Sequence, residues 1–246
     1  MDTAQQAEDP ELSAYIQVYG NKRAVLESLK SFRAHYPRAK ISLISDGGES
    51  FAEFAQPFQL YYEHSPVNTL PSARLANPDC AREYLRRIYQ HCQRARSLWV
   101  LILEEDVLTY RRVRKYPKVH SAGPRNNPFS RELNEYLNNK RLTSGVEYFY
   151  NLSGGGVFHR ETFLLCYEQN HFDLNYAWLL DERLAATDAL LSAFFLANNQ
   201  DNVAWEEVSE KHIARQDLVI DRDAAFDHND KRWYGQPFDA SLLPRA

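Results

Sequence analysis

A chain of 246 residues, 44% of them hydrophobic and 25% charged, can bury its own core in one large α/β domain or two small ones. Its net charge of −4 supplies no general field for nucleic acid, and three cysteines without a CxxC pair point to a reducing compartment rather than a disulfide framework. Residues 1–12 are polar and acidic without a signal-peptide core, and no apolar run approaches a membrane span, so a cytoplasmic protein with no anchor of its own is expected.

After a loose leader over residues 1–12, Ser13 to Tyr19 reads as a strand and is broken by Gly20-Asn21. Val25, Leu26, Leu29 and Phe32 recur at helical spacing between Lys22 and His35, and Pro37 closes that helix. Lys40 to Ser45 is a second strand, ended by Asp46-Gly47-Gly48. A short helix over Ser50 to Ala55 and a third strand over Phe58 to Glu63 complete an alternation expected of a parallel sheet with right-handed crossovers. A proline-rich loop follows, then a helix from Pro78 to Arg96 whose stripe is Cys80, Tyr84, Leu85, Ile88 and Cys92. Arg82 and Arg86 share another face of it.

Leu98 to Leu103 is an unbroken apolar run, too short for an ordinary helix and suited to a strand buried on both faces. Glu104, Glu105 and Asp106 follow directly. Adjacent carboxylates repel unless a cation or water compensates them, and open α/β sheets bind ligands beyond the carboxyl ends of their strands. A hard divalent ion joining carboxylates to substrate phosphates suits such a place; a solvated acidic turn is the plainer alternative.

Residues 109–145 read as an irregular insertion, basic at first (Arg111, Arg112, Arg114, Lys115, Lys118), with a short helix over Ser130 to Asn139. Glu147 to Leu152 is strand-like. Gly154, Gly155 and Gly156, three of only nine glycines, then form a turn that lets a ligand approach the main chain. His159 to Gln169 and Asp181 to Ala197 read as helices, the second carrying Thr187 and Asp188. Val203 to Val208 is a candidate edge strand. The tail from Asp221 is rich in acids around His228. No repeat or heptad array interrupts the chain, so residues 13–246 are expected to form one domain.

The order of these elements resembles the GT-A fold of nucleotide-sugar-dependent glycosyltransferases. The likeness rests on the opening strand with Ile44-Ser45-Asp46, the segment Leu101 to Val107, the glycine turn, and Thr187-Asp188-Ala189-Leu190-Leu191. The acidic segment resembles that family's DXD motif but reads Glu-Glu-Asp, and Thr187 stands where many relatives have Glu. The resemblance implies a single Rossmann-related domain with a mostly parallel sheet flanked by helices, binding nucleotide with residues 13–108 and acceptor with residues 109–246. It also implies Mn²⁺ or Mg²⁺, a nucleotide-sugar donor with UDP favoured, and a glycan or other hydroxyl acceptor.

On that reading Asp106 ligates the metal, with His228 as second ligand and His212 as the weaker alternative. Glu104 binds ribose hydroxyls or a metal-bound water, and Glu105 a backbone amide or the donor sugar. Asp46 accepts from a pyrimidine N–H, Tyr19 stacks on the base, and Arg82 and Arg86 meet pyrophosphate or the acidic triplet. The turn Gly154-Gly155-Gly156 faces the acceptor and donor sugar. Asp188 is the base of an inverting transfer, with Asp181 and Glu182 as alternatives. Two rivals stay open: a sugar-nucleotide pyrophosphorylase, which wants more glycine after the first strand, and a catalytically silent carbohydrate-binding domain.

Overall fold

The computed structural model describes residues 9–69, 77–124, 128–169, 187–209, 223–228 and 231–244. Strands β1 (Leu12–Val18), β2 (Ile41–Asp46) and β3 (Tyr61–Ser65) alternate with helix α1 (Lys22–His35) and precede helix α2 (Pro78–Arg94) and strand β4 (Trp99–Ile102). Short strands β5 (Leu108–Thr109) and β6 (Ser121–Gly123) follow, then α3 (Arg131–Arg141), β7 (Val157–His159) and α4 (Arg160–Gln169). Helix α5 (Thr187–Ala197) and strands β8 (Asn202–Ala204), β9 (Val208–Ser209) and β10 (Phe226–Asp227) follow, and short 3-10 turns lie at Ala52–Phe54, where the short helix was expected, and at Lys231–Trp233 and Ala240–Leu242.

The main sheet has the order β3-β2-β1-β4-β7-β6-β8. Its described pairings are parallel except where β7 meets β4 and β6. This is the expected α/β fold with a mostly parallel sheet. Strand β4 lies in the middle, and its apolar run is explained by two cores. Val100 and Ile102 join one with α2, α3, α4 and α5, while Leu101 and Leu103 join the other with α1. From β1 the chain steps outward to β2 and β3, then returns to place β4 on the opposite side of β1. The strand order therefore reverses between β1 and β4, and a crevice at their carboxyl ends is the natural ligand site of such a sheet.

Several boundaries differ from the sequence reading. Residues 9–12 belong to the fold: Asp9 is buried, accepts from the Leu12 amide at 3.3 Å and pairs with Arg112 at 2.7 Å. Strand β3 starts at Tyr61 rather than Phe58, because Gln59 takes a left-handed conformation with φ 48° and Leu60 closes a turn onto Ala55. Glu147 to Leu152 is extended but contributes only an isolated bridge, Phe149 to Pro128. The expected strand over Val203 to Val208 divides between β8 and β9. The basic run is partly absorbed by structure, with Arg111 on Glu207 at 2.6 Å.

A second, three-stranded sheet pairs β5 with β10 and β10 with β9. Its strands are two residues long, yet they decide where the site forms. Asp227 lies opposite Leu108, so the residue before His228 is zipped to the strand that follows the acidic triplet.

Candidate metal centre and adjoining cavity

The triplet leaves the buried end of β4, and the small sheet brings the tail back over it. One ligand atom each from Glu104, Asp106 and His228 lie within 4.8 Å of one another. His228 Nε2 is 3.2 Å from Glu104 Oε2 and 3.6 Å from Asp106 Oδ1. Asp106 is 5% exposed, and its Oδ1 is buried with no hydrogen-bond partner among the described residues. An orphaned carboxylate oxygen is costly to bury, and a cation would satisfy it. Burial and the Glu104 charge push the Asp106 carboxyl up to about 6, against the opposing charges of His228 and Lys231. Two carboxylates with one imidazole suit Mn²⁺ or Mg²⁺ completed by water and phosphate oxygens, and the imidazole favours the softer Mn²⁺.

Glu105 points elsewhere. It hydrogen-bonds Tyr234, and burial raises its carboxyl to about 7. The tail segment carrying Tyr234 is held against α1 and the turn after β2: Arg23 lies over the Trp233 ring at 4.8 Å, and Phe238 stacks on Phe54 at 5.3 Å. Lys231 and Tyr234 are residues the sequence reading did not single out. They come to the triplet through long-range packing, which no local pattern announces.

The glycine turn is stitched to the end of β4, with Gly155 N donating to Ile102 O at 2.8 Å and Ile102 N to Gly156 O at 2.9 Å. A Cβ on Gly154 would lie 2.7 Å from His228 Cδ2 and 2.8 Å from Val107 Cγ2, and Gly155 has φ +83°. The turn thus makes room for the tail histidine. Gly154→Ala is expected to displace His228 and, if this group holds a metal as proposed below, to weaken Mn²⁺ binding by about tenfold or more, the usual effect of disturbing a ligand's support. Calorimetric titration of Mn²⁺ checks this; unchanged affinity would free the turn of that role.

Asp188, at the start of α5, is partly buried and accepts from the Ala189 amide at 2.8 Å. Burial, then the Glu104 charge, raise its carboxyl to about 6, so Asp188 and Glu104 share one electrostatic environment. Asp181, Glu182 and His212 lie outside the described residues.

Between these groups lies a cavity of about 170 Å³ lined by Tyr15, Gln17, Tyr84, Ile102, Leu103, Glu104, Glu105 and Thr187. It occupies the crevice where the strand order reverses. Tyr15 and Gln17, two apart on β1, share the face that looks into it.

The remaining expected site residues are placed as follows. Tyr19 lies just past β1 and is 53% exposed. Asp46 is 0% exposed, paired with Arg87 at 2.5 Å and bonded by the Thr69 amide at 2.5 Å, an arrangement that favours structure over a contact with a base. Arg82 and Arg86 pair within α2, with Asp79 at 2.7 Å and Glu83 at 2.6 Å, and neither is ion-paired with the triplet. Arg87 of α2 does reach the sheet; it is 1% exposed and also bonded to Ser65 at 2.6 Å. Arg87→Met strands Asp46 in a dry site and is expected to cost about 3–5 kcal/mol in denaturant unfolding. A loss below about 1 kcal/mol, the scale of a surface pair, would contradict this assignment.

Among the described residues, no helix is long and apolar enough to cross a membrane. No family model matches the chain, and no curated protein does. Among solved structures it is similar to the apo-form glycosyltransferase GlyE of Streptococcus pneumoniae TIGR4. That likeness has a TM-score of 0.46 and 14% identity, over 89% of this chain and 54% of that one. A second GlyE structure from the same organism gives a TM-score of 0.40 and 13% identity, over 81% of this chain and 46% of that one. The chain spans about half the length of these structures.

Proposed function

We propose that the chain is a metal-dependent glycosyltransferase, moving a sugar from a nucleoside diphosphate donor to a hydroxyl acceptor with inversion. The observation that carries this reading is the meeting of Glu104, Asp106 and His228, from distant parts of the chain, around a buried carboxylate oxygen with no hydrogen-bond partner among the described residues. Asp106 and His228 would hold Mn²⁺ or Mg²⁺, with Glu104 as third ligand or as acceptor for a ribose hydroxyl. When bound, the ion supplies positive charge to the departing diphosphate. Lys231, close enough for its charge to stabilise ionised Asp106, is placed to meet the same phosphates. Glu105 holds the tail through Tyr234.

Asp188 is the proposed base. A carboxyl with pKa about 6 is ionised at neutral pH yet basic enough to take a hydroxyl proton as the oxygen attacks the anomeric carbon. Tyr19, exposed at the end of β1, remains the candidate to stack on the nucleotide base. UDP-linked donors are the first to test.

The test is release of UDP from a panel of UDP-sugars, with Mn²⁺ and with a chelator. Metal-dependent release, increased by a hydroxyl acceptor, is expected. A silent carbohydrate-binding domain would release none, and a pyrophosphorylase would consume UDP-sugar only with added pyrophosphate.

A further inference from the structure

The cavity between β1 and β4 is small, and the hydrogen-bond direction of one wall is fixed from behind. Arg87 can only donate, and it donates to Asp46, which as a carboxylate only accepts. The Thr69 hydroxyl donates to the same carboxylate at 3.2 Å. Its oxygen therefore accepts, taking the Gln17 Nε2 hydrogen at 2.9 Å. That orients the Gln17 amide so that Oε1 faces Tyr15, and the Tyr15 hydroxyl donates to it. Having spent its hydrogen, the Tyr15 oxygen can offer the cavity only an acceptor. Burial and nearby Tyr84 hold the phenol well above its ordinary pKa, so it stays a neutral hydroxyl.

The other polar groups around the cavity point to the same chemistry. Glu104 contributes a carboxylate, and Tyr84 is tied to Thr187 by a side-chain hydrogen bond. An acceptor-rich wall repels a second anion and rewards hydroxyl donors. The volume of about 170 Å³ holds about five or six waters at roughly 30 Å³ each. That is the scale of one sugar ring, below the roughly 300 Å³ at which pockets for larger ligands begin. One end is Glu104 of the metal group, and the other is Thr187, next to Asp188.

We infer that this cavity holds the transferred sugar and selects an uncharged, hydroxyl-rich ring, with Tyr15 as the acceptor that reads one of its hydroxyls. The inference rests on the glycosyl-transfer reading and names the class of sugar it uses. Gln17, Thr69, Asp46 and Arg87 are positioning residues, which act only by fixing the direction of the Tyr15 hydroxyl.

The experiment is calorimetric titration in Mn²⁺ of UDP, UDP-glucose, UDP-galactose, UDP-N-acetylglucosamine and UDP-glucuronate, on the full chain and on Tyr15→Phe. A neutral UDP-hexose is expected to bind tighter than UDP, and UDP-glucuronate to gain nothing. Tyr15→Phe should cut the neutral sugar's affinity about 3- to 10-fold, the worth of one hydrogen bond, and leave UDP unchanged. Equal weakening of UDP and UDP-hexose would place the base or ribose in the cavity and overturn the inference. So would preference for the uronate, or UDP binding with no gain from any neutral sugar. Failure to bind UDP at all would overturn the glycosyltransferase reading as well. If melting shows that Tyr15→Phe does not fold, the neutral-against-uronate comparison on the unaltered chain decides.

Discussion

With Asp188 as the proposed base, Asp188→Asn is expected to lower the rate of sugar transfer by about 10²- to 10⁴-fold, the usual contribution of a positioned base, and to leave UDP affinity in Mn²⁺ essentially unchanged. The amide keeps the shape of the carboxylate, and its oxygen can still accept from the Ala189 amide, but it cannot take a proton. Transfer by the unaltered chain should fall as pH drops through about 6, where Asp188 protonates, and the variant's residual rate should lack that limb. The sign for stability is opposite. A carboxyl whose folded pKa lies above its unfolded value of about 3.9 favours the fold most when protonated, and that contribution is lost as pH rises through about 6. Asp188→Asn should therefore melt no lower than the parent at pH 7. Parallel loss of UDP affinity and stability would assign Asp188 to structure.

Asp106→Ala is expected to remove the metal-dependent part of UDP binding and to lower transfer by about 10³-fold or more, since on the proposed reading several kcal/mol of charge stabilisation would depend on the ion Asp106 holds. Folding should survive. Asp106 is buried with an oxygen that has no hydrogen-bond partner among the described residues, and its removal relieves repulsion with Glu104. In the parent, protons should compete with Mn²⁺ as pH falls through about 6, because a metal-binding carboxylate must be ionised. Calorimetry of UDP with and without Mn²⁺, on parent and variant, checks both. UDP binding that ignores the metal and the substitution would remove the proposed site.

The sheet was legible because its signals are local. The periodicity of α1 and the apolar run of β4 each report burial directly, and β4 is apolar throughout because alternate residues feed two cores. Asp106 and the acids beside it were visible for the same reason, as charges placed where a buried strand ends. His228 could not be derived from its neighbours. Its meeting with Asp106 depends on β5 pairing with β10 across more than a hundred residues, through strands of two residues that leave no periodic trace.

The arginines show a different limit. Arg82 and Arg86 draw attention as an i, i+4 pair, yet that spacing equally describes a solvated helix face, and there each pairs with an acid of its own helix. Arg87 lies three residues after Tyr84 and four before His91, within the buried stripe. A lone arginine on an apolar stripe was the signal for a buried ion pair, and its partner Asp46 was read instead as open to a ligand. The glycine turn was read as a place where a ligand approaches the main chain. That Gly154 yields to His228, a side chain of the protein itself, only the packing reveals.

The most direct test is anomalous diffraction at the manganese edge from crystals soaked with UDP and Mn²⁺. The account expects a single strong peak in coordination contact with the Asp106 carboxylate and the His228 imidazole, with Glu104 bound or one water away and the diphosphate on the open side. UDP bound in the crevice with no manganese peak at those residues, or with a peak elsewhere, would contradict it.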